Sequence, residues 1–414
     1  MERMGRAARY RSRSGTRLRL ESDHTSQATR LIRVGHDDGT PSRTVGPPIQ
    51  KGSTVLLPDA ASLYDERRPT YGRGGLATHE TLKNALADLE RAEAVRLFPS
   101  GLAALAGAML AVLKTGDDIL VTDAVYKPTR RFCDRVLGRF GVSVRYYGPH
   151  TSPEDLITLC GAPTRLILLE SPASLTFEMQ DAPAIARLAR DRGVLTLMDN
   201  TWAAGLFFKP LDHGIDLSVQ ALTKFVGGHS DVFMGSAAAR DPALVDALDH
   251  AVWDFGWSVS AEDAYQMLRG LRTLPTRLAR HEKSGLVVAS WLETHPAVAR
   301  VLHPALPGAP DHMLWKRDFS GAPGLFAIVL KPRPITEVHA FLDALKLFGL
   351  GFSWGGFESL ALDCDPQFSV RRAPAAYGGP VVRLNVGLED PGDLIGDLGR
   401  AFDIAASCEY GLRS

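Results

Sequence analysis

Short apolar runs alternate with amphipathic stretches from residue 94 onward, and this alternation restricts the fold more than any other feature of the chain. Apolar runs bounded by turn formers predict buried strands, and the stretches between several of them predict helices. The predicted strands are 94–98, 119–122, 142–147, 165–169, 194–198, 217–222 and 232–238, and two of the predicted helices are 102–113 and 183–192. Strands that alternate with helices form a mostly parallel sheet with helices on both faces. The sequence therefore predicts an α/β fold.

The pattern changes toward the C-terminus. A helical stretch at 260–290 and a Pro/Gly-rich segment precede a short predicted strand at 325–330. A helix at 336–348, a strand at 381–386 and a final helix near 393–406 follow. This order predicts a second, smaller α+β domain.

The first 75 residues show little periodicity. Turn formers are frequent in 20–75, so we expect an extended arm there. Apolar residues at helical spacing from Leu82 to Leu89 predict the first helix of the large domain, with Thr78 as its cap. The predicted organisation is a leader at 1–20, an arm at 21–75, a large domain at 76–275 and a small domain at 276–414.

Composition favours a soluble globular protein and argues against several classes of function. The 414 residues are 45% hydrophobic and 23% charged, and no apolar run is long enough to cross a membrane. Residues 1–20 hold seven arginines and one acid, which is open to three interpretations: a transit peptide, a nucleic-acid arm or a solvated tail. We favour the tail, or a start codon placed too early. The rest of the chain has 40 basic and 46 acidic side chains, so we expect no nucleic-acid partner.

Cysteine and histidine spacing predicts neither disulfides nor a metal site. The four cysteines are widely spaced and form no CxxC or CxxH pattern, which favours a cytoplasmic protein. His229 invites a metal interpretation, but no second ligand lies at a suitable spacing. We therefore expect a loop histidine and no metal.

Chemically useful residues follow the predicted strands, and ligands of open parallel sheets bind beyond the carboxyl ends of strands. Ser100-Gly101-Leu102 follows the first strand, and Tyr126 follows the second. Asp199 follows the strand at 194–198, and Thr223-Lys224 follows the strand at 217–222. The sequence thus predicts that a lysine, an acid, an aromatic ring and a helix N-terminus converge at one edge.

Each of these residues suits one part of a phosphorylated pyridine aldehyde. The amine of Lys224 can form a Schiff base with the aldehyde, and Asp199 can keep the ring nitrogen protonated. The turn at 100–102 offers backbone N–H groups to the phosphate, to which the Thr223 hydroxyl can add a hydrogen bond. Tyr126 can stack on the ring. Taken alone, a lysine after a strand is more often a solvated side chain, and an Asp-Asn pair is more often a turn. Together these residues predict pyridoxal 5'-phosphate as cofactor.

A family resemblance extends this prediction from about residue 45 to residue 405. It rests on motifs that occur in the same order, and the chain resembles the Cys/Met-metabolism family of pyridoxal-phosphate enzymes. The motifs are Tyr71-Gly-Arg73, Phe98-Pro-Ser-Gly101, Asp199-Asn-Thr-Trp-Ala-Ala-Gly205, Thr223-Lys224, Gly228-His-Ser-Asp231, Arg269-Gly-Leu-Arg-Thr273, Ser353-Trp-Gly-Gly356 and Arg383-Leu-Asn-Val-Gly-Leu-Glu-Asp390. The resemblance implies a fold of the aspartate-aminotransferase type (fold type I).

The resemblance also implies roles for individual residues. Lys224 would carry the cofactor, Asp199 would pair with its ring nitrogen, and Tyr126 would stack on the ring and assist proton transfer. Arg383 would bind the substrate α-carboxylate through a bidentate pair, a role that suits its planar guanidinium. The residues implied to hold the phosphate are Gly101, Leu102 and Thr223, with Tyr71 and Arg73 from a neighbouring subunit, and those implied to line the substrate side are Ser353, Trp354 and Tyr126.

The plain structural interpretations of two residues stay open at this point. Trp354 is also compatible with core packing, and Arg383 with an ion pair to Glu389 or Asp390. Members of the family are usually tetramers built from catalytic dimers, and the arm is compatible with that assembly.

Three positions favour the β-lyase branch of the family. Trp354, Ser174 and Ala221 stand where γ-enzymes commonly carry leucine, asparagine and serine. This branch implies α,β-elimination of L-cystathionine to homocysteine, pyruvate and ammonia, in methionine biosynthesis. The stretch 252–257 departs from the β-lyase pattern and is one residue longer, which bears on substrate preference. The alternatives are a γ-lyase or γ-synthase of the same family, and a non-catalytic regulator that binds pyridoxal phosphate.

Overall fold

The computed structural model describes residues 25–35, 44–65, 68–372 and 377–411. The predicted leader at 1–20 lies outside the described residues. Two sheets organise the rest of the chain, one of seven strands and one of five.

The larger sheet contains every strand predicted between residues 94 and 238. Its strands are β1 (Ala94–Phe98), β2 (Asp118–Thr122), β3 (Ser143–Tyr147), β4 (Thr164–Glu170), β5 (Leu195–Asp199), β6 (Leu217–Ala221) and β7 (Gly235–Ala239). Their order is β1-β7-β6-β5-β4-β2-β3. All neighbouring pairs are parallel except those of β7, which runs antiparallel to both β1 and β6. The predicted α/β fold with a mostly parallel sheet is confirmed.

Helices cover both faces of this sheet because side chains alternate along each strand. In β4, Ile167 and Leu169 join the apolar layer that includes the helix at Ala77–Glu90, whereas Leu166 and Leu168 join the layer that includes the helix at Gly101–Val112. The helices of this part are α1 (Gln27–Ile32), α2 (Ala77–Glu90), α3 (Gly101–Val112), α4 (Lys127–Arg135), α5 (Pro153–Thr158), α6 (Ala182–Asp191), α7 (Pro242–Asp254) and α8 (Ala261–Glu293).

Thr78 does not cap α2 as the sequence predicts. The helix begins at Ala77, one residue before it, with Leu76 at the N-cap position. The Thr78 hydroxyl donates to the carbonyl of Pro48 (2.9 Å) and accepts from the amide of Gln50 (2.7 Å). Both hydrogen-bonding functions of the hydroxyl are therefore used by backbone groups of the arm. They join the arm to the start of the large domain and leave the hydroxyl unavailable as a helix cap.

The smaller sheet lies in the C-terminal part and packs on its own apolar core. Its strands are β8 (Val298–Leu302), β9 (Leu325–Leu330), β10 (Gly349–Leu350), β11 (Leu360–Asp363) and β12 (Val381–Asn385), in the order β10-β11-β12-β9-β8. The remaining helices are α9 (His312–Asp318), α10 (Ile335–Ala344), α11 (Asp365–Phe368) and α12 (Pro391–Gly411). The sequence predicts β9, β12, α10 and α12 but not β8, β10 or β11.

Helix α8 connects the two parts without interruption. The predicted boundary between residues 275 and 276 lies inside it, at a proline that the helix contains. The division into two domains at that position therefore stays a prediction. Across the described ranges, none of the helices has the length and apolar character needed to span a membrane.

Candidate active site

The candidate site lies where the parallel strands of the larger sheet end. Glu170 of β4 faces Asp199 of β5 in register, and Asp199 faces Val219 of β6. The turn after β6 brings Lys224 to the same edge, and its amide donates to the carbonyl of Ala221 (3.1 Å). Parallel direction alone brings these three strand ends together, as the sequence predicts.

Lys224 meets the C-terminal part of the chain at this edge. Its Nζ donates to Ser353 Oγ (2.9 Å) and lies 5.3 Å from the centre of the Trp354 ring. Gly355 follows with a φ of 80°, and a Cβ there would lie 3.1 Å from the Lys224 Cβ. Glycine is required because this backbone conformation and this close approach both exclude a side chain.

Burial shifts the Lys224 amine toward its neutral form. Desolvation, together with the positive charge of Arg383, lowers its pKa from 10.5 to about 8, while Asp199 and Glu358 act in the opposite direction. A neutral amine is the form that attacks a carbonyl carbon or accepts a proton. The site thus provides a nucleophilic lysine near neutral pH.

Asp199 is held through one of its two oxygens. The amide and the hydroxyl of Thr201 both donate to Oδ1, at 3.0 and 2.5 Å. Burial raises the pKa of the carboxyl, and the Thr201 hydrogen bonds and the charge of Lys224 oppose that shift. No described residue donates to Oδ2, so this oxygen is available to a protonated ring nitrogen.

The N-terminus of α3 supplies free backbone donors. Ser100 is its N-cap, with Oγ accepting from the amide of Ala103 (3.1 Å). The amides of Gly101 and Leu102 make no hydrogen bond with the described residues. A Cβ on Gly101 would lie only 2.4 Å from the Cβ of Ala221, so glycine lets the helix start against β6.

Thr223 is already engaged by the backbone. Its hydroxyl donates to the carbonyl of Met234 (3.2 Å) and accepts from the amide of the same residue (2.9 Å). To donate to a phosphate, the hydroxyl must release the Met234 carbonyl. Its predicted role in phosphate binding therefore stays a prediction.

Tyr126 stands at the mouth of the site with 43% of its surface exposed. It forms the N-cap of α4, and its amide donates to Glu170 Oε2 (2.7 Å). Burial of the phenol, together with the nearby charge of Asp199, raises its pKa. The phenol consequently keeps its proton at neutral pH and can donate it.

Arg383 is 6% exposed and lies in the middle of the smaller sheet, on β12. Its Nη2 donates to three successive carbonyls, the closest being that of Ser353 (2.9 Å). No described carboxylate pairs with it, so the predicted alternative of an ion pair with Glu389 or Asp390 is wrong. A buried guanidinium without a counter-charge can bind a carboxylate, so the predicted role of Arg383 toward the substrate stays a prediction.

Tyr71 and Arg73 are not assembled with Lys224 in the single chain. Tyr71 pairs with Thr54 in an isolated bridge. The Arg73 guanidinium lies 4.4 Å from the ring centre of Trp253, and its Nη1 donates to the Trp253 carbonyl (3.0 Å). The departing stretch 252–257 thus packs against the arm of its own chain. A role for Tyr71 and Arg73 in a neighbouring subunit stays a prediction.

Residues 28–403 match the sequence pattern of one family, described as Cys/Met metabolism PLP-dependent enzymes. This chain belongs to that family. Pyridoxal phosphate is therefore its cofactor, and the predicted family, enzyme class and cofactor are confirmed.

Relatives of this Cys/Met metabolism enzyme match over nearly its whole length. A protein of Rhizobium johnstonii is 46% identical, with the match covering 92% of this chain and 96% of the relative. Cystathionine beta-lyase MetC of Escherichia coli is 40% identical, over 90% of this chain and 97% of the relative. Among solved structures, cystathionine gamma synthase from Xanthomonas oryzae pv. oryzae is 30% identical with a TM-score of 0.87, covering 92% of this chain and 99% of that one.

The described residues fit the cofactor of the family. The amine of Lys224 has a lowered pKa and a single neutral hydrogen-bond partner. Asp199 Oδ2 and the amides at the start of α3 have no partner among the described residues, and they match a ring nitrogen and a phosphate in charge. In the described ranges no cluster of three metal-ligating side chains occurs.

Sequence reasoning assigned no role to Glu170, although it directly follows the predicted strand at 165–169. The carboxyl is buried and pairs with the amide of Tyr126. Its position at the end of a buried strand, level with Asp199, was the available signal. The position of Glu170 at the end of one strand does not show how far it lies from Tyr126, which follows another strand. The sequence alone therefore could not connect the two residues.

Proposed function

We propose that this enzyme is a cystathionine β-lyase that cleaves L-cystathionine into homocysteine, pyruvate and ammonia. The observation that carries the proposal is one assembly: Ser353 holds the Lys224 amine beside Trp354, and it also contacts the guanidinium of Arg383, which has no carboxylate partner among the described residues. Relatives named cystathionine beta-lyase, at 37–42% identity, support this branch.

Arg383 orients the substrate. In the single chain its Nη2 donates to the carbonyls of 351–353, so a bidentate pair with the α-carboxylate requires Nη2 to release one of them, while Nε or Nη1 supplies the second hydrogen bond. Since Ser353 contacts both Arg383 and Lys224, the bound amino acid has its Cα next to the lysine amine. Binding in this orientation selects α-amino acids.

Several residues of the site would hold pyridoxal phosphate. When bound, it supplies a protonated pyridine ring that delocalises the negative charge left on Cα after proton loss. Asp199 would keep the ring nitrogen protonated, Tyr126 would cover the ring, and Lys224 would hold the aldehyde carbon. The residues proposed for the phosphate are Gly101, Leu102 and Thr223, with Tyr71 and Arg73 of a neighbouring subunit.

Two side chains move protons during the elimination. Once the substrate amine takes its place at the aldehyde carbon, Lys224 has a free amine with a pKa of about 8, and this amine takes the proton from the substrate Cα. The Cβ–S bond then breaks with both electrons leaving on sulfur, and the Tyr126 phenol donates a proton to that sulfur. The raised pKa of Tyr126 ensures that it carries this proton at neutral pH. Water hydrolyses the remaining three-carbon enamine to pyruvate and ammonia.

Three branch-marking residues surround this machinery. Trp354 lies over the Lys224 amine, and the methyl group of Ala221 lies against the start of α3. The amide of Ser174 donates to the carbonyl of Ala124 (3.1 Å), two residues before Tyr126. Their positions support the β-lyase assignment because each borders the cofactor or substrate side of the site.

The deciding experiment incubates the purified, cofactor-loaded protein with L-cystathionine and separates the products. Pyruvate with homocysteine in equal amounts supports the β-lyase. Cysteine with 2-oxobutyrate would assign the enzyme to the γ-lyase branch. Bound cofactor without turnover would favour a regulator. The Lys224→Ala variant is the control for background cleavage.

Assembly and location extend the proposal. We propose a homotetramer of catalytic dimers, supported by arm residues that the single chain leaves uncovered: Val45, Leu56 and Tyr64 are 75%, 94% and 90% exposed. Light scattering on purified protein measures the mass directly, and a monomer would contradict it. A cytoplasmic location is supported by Cys133, Cys160 and Cys364, which are free thiols.

A further inference from the structure

Glu170 is a second buried carboxyl beside the candidate site. It is the last residue of β4, faces Asp199 across the parallel ladder and is 9% exposed. A buried carboxyl is costly unless it is hydrogen-bonded or neutral, so its presence at the strand edge requires an explanation. The reaction proposed above does not use it.

Its hydrogen bonds lead to Tyr126. Oε2 accepts from the amide of Tyr126 at 2.7 Å. Tyr126 is the N-cap of α4 and caps the helix with no side-chain hydrogen bond of its own. Because its N-cap amide is hydrogen-bonded to the buried end of β4, the first turn of α4 is held in one orientation relative to the sheet. Glu170 therefore fixes the backbone from which the Tyr126 ring projects.

Its charge is linked to that of Asp199. Burial and the negative charge of Asp199 both raise the pKa of Glu170 well above 4.5. Two neighbouring carboxyls in a buried site do not ionise together at low cost. Asp199 has two Thr201 donors and the positive charge of Lys224, so it is the one that ionises. Glu170 then stays neutral, with Oε2 still able to accept from the Tyr126 amide.

We propose that Glu170 is a positioning residue of this enzyme: it fixes Tyr126 at the start of α4 and remains neutral, so that the negative charge of the carboxyl pair lies on Asp199. The inference rests on the proposed function only for its effect on turnover. Its effects on cofactor binding and on the orientation of Tyr126 concern the Cys/Met metabolism family as a whole.

Two variants separate the hydrogen bond from the acid. Glu170→Gln has the same shape and keeps an oxygen that accepts from Tyr126, whereas Glu170→Ala removes the acceptor. We expect Glu170→Ala to lower kcat about tenfold or more with a small change in KM, as losing one positioning hydrogen bond does. Glu170→Gln should restore kcat to within about threefold of the unchanged enzyme, because a neutral amide replaces a neutral acid.

A readout without substrate keeps this test independent of the lyase assignment. The visible circular dichroism of the bound cofactor reports the chiral environment of its ring, and equilibrium dialysis gives the cofactor Kd. We expect Glu170→Ala to change the visible band and weaken cofactor binding about threefold to tenfold, and Glu170→Gln to leave both near their original values.

Glu178→Ala is the matched control. Glu178 is a half-buried glutamate of the same segment that accepts from the hydroxyls of Thr176 and Tyr377 and pairs with Arg371, and no hydrogen bond among the described residues joins it to Tyr126. The Glu178→Ala variant should have a lower melting temperature but unchanged kcat and unchanged visible circular dichroism of the bound cofactor. Unchanged kcat, Kd and circular dichroism in Glu170→Ala would overturn the proposal. So would an equal loss in Glu170→Gln and Glu170→Ala, because the acceptor would then not be the determinant.

Discussion

Two half-buried lysines, Lys209 and Lys224, occupy opposite kinds of environment in the same large domain. Lys209 donates to the side chain of Gln27 (3.0 Å) and to the carbonyls of Leu89 (2.5 Å) and Gly205. In the described part of the chain, the Lys224 amine has one hydrogen-bond partner, the neutral hydroxyl of Ser353. Burial lowers the pKa of both amines, so a lowered pKa does not distinguish them.

The charges around the two lysines explain their different uses. Lys209 lies beside the buried carboxyl of Glu90, and it ties α1 and the end of α2 to the chain after β5. The amine of Lys224 lies near Arg383, whose positive charge favours the neutral form. All three hydrogens of Lys209 are committed, whereas Lys224 can release one neutral partner. The reactive lysine is therefore distinguished by an amine with few hydrogen-bond partners, more than by a lowered pKa.

Alanine at each lysine gives the largest expected contrast. Lys224→Ala should reduce kcat for L-cystathionine by at least about a thousandfold, because it removes both the nucleophile and the Cα base. Lys209→Ala should keep kcat within about threefold, since its contacts lie away from the site. Steady-state kinetics on cofactor-loaded protein measures both. Equal losses in the two variants would break the distinction.

Stability should show the reverse order. Lys209→Met leaves Glu90 buried without its counter-charge and two carbonyls without a donor, so we expect the free energy of unfolding to fall by about 2 kcal/mol. Lys224→Met should cost less than about 0.5 kcal/mol in cofactor-free protein, because its amine has one neutral partner. Urea unfolding at fixed pH compares them. A larger loss in Lys224→Met would contradict the structural assignment of Lys209.

The smallest expected effect is a pH shift in cofactor recombination. Only a neutral amine attacks the aldehyde, and the Lys224 pKa is about 8, so the recombination rate of cofactor-free protein should rise as pH increases through 8. Arg383→Gln removes a charge that lowers this pKa, which should move the midpoint upward by roughly half a pH unit. Stopped-flow absorbance follows the reaction. A midpoint near 10.5 would show that the amine is solvated, as for an ordinary lysine.

Much of the fold was predictable from local pattern. The sequence predicts the strands from β1 to β7 within about three residues, because most of them are buried apolar runs with polar ends. It does not predict β10 and β11, which have two and four residues and are too short to establish a period, nor β8, where only two of five residues are buried. Thr78 was assigned to the wrong helix position because its hydroxyl binds residues of the arm, thirty positions away.

The sequence by itself determined the parallel α/β architecture, the family and the edge at which Lys224, Asp199 and Tyr126 meet. Strand direction follows from connectivity, and residues that end parallel strands share an edge. Only the tertiary structure decided which groups are free within that edge. It joined Ser353 to Lys224, left Arg383 without a carboxylate among the described residues, engaged Thr223 with Met234 and joined Glu170 to the Tyr126 amide. A hydrogen bond forms only where the donor–acceptor distance is right to within a few tenths of an ångström. These partners are far apart in the chain, and no local pattern encodes the distance between them.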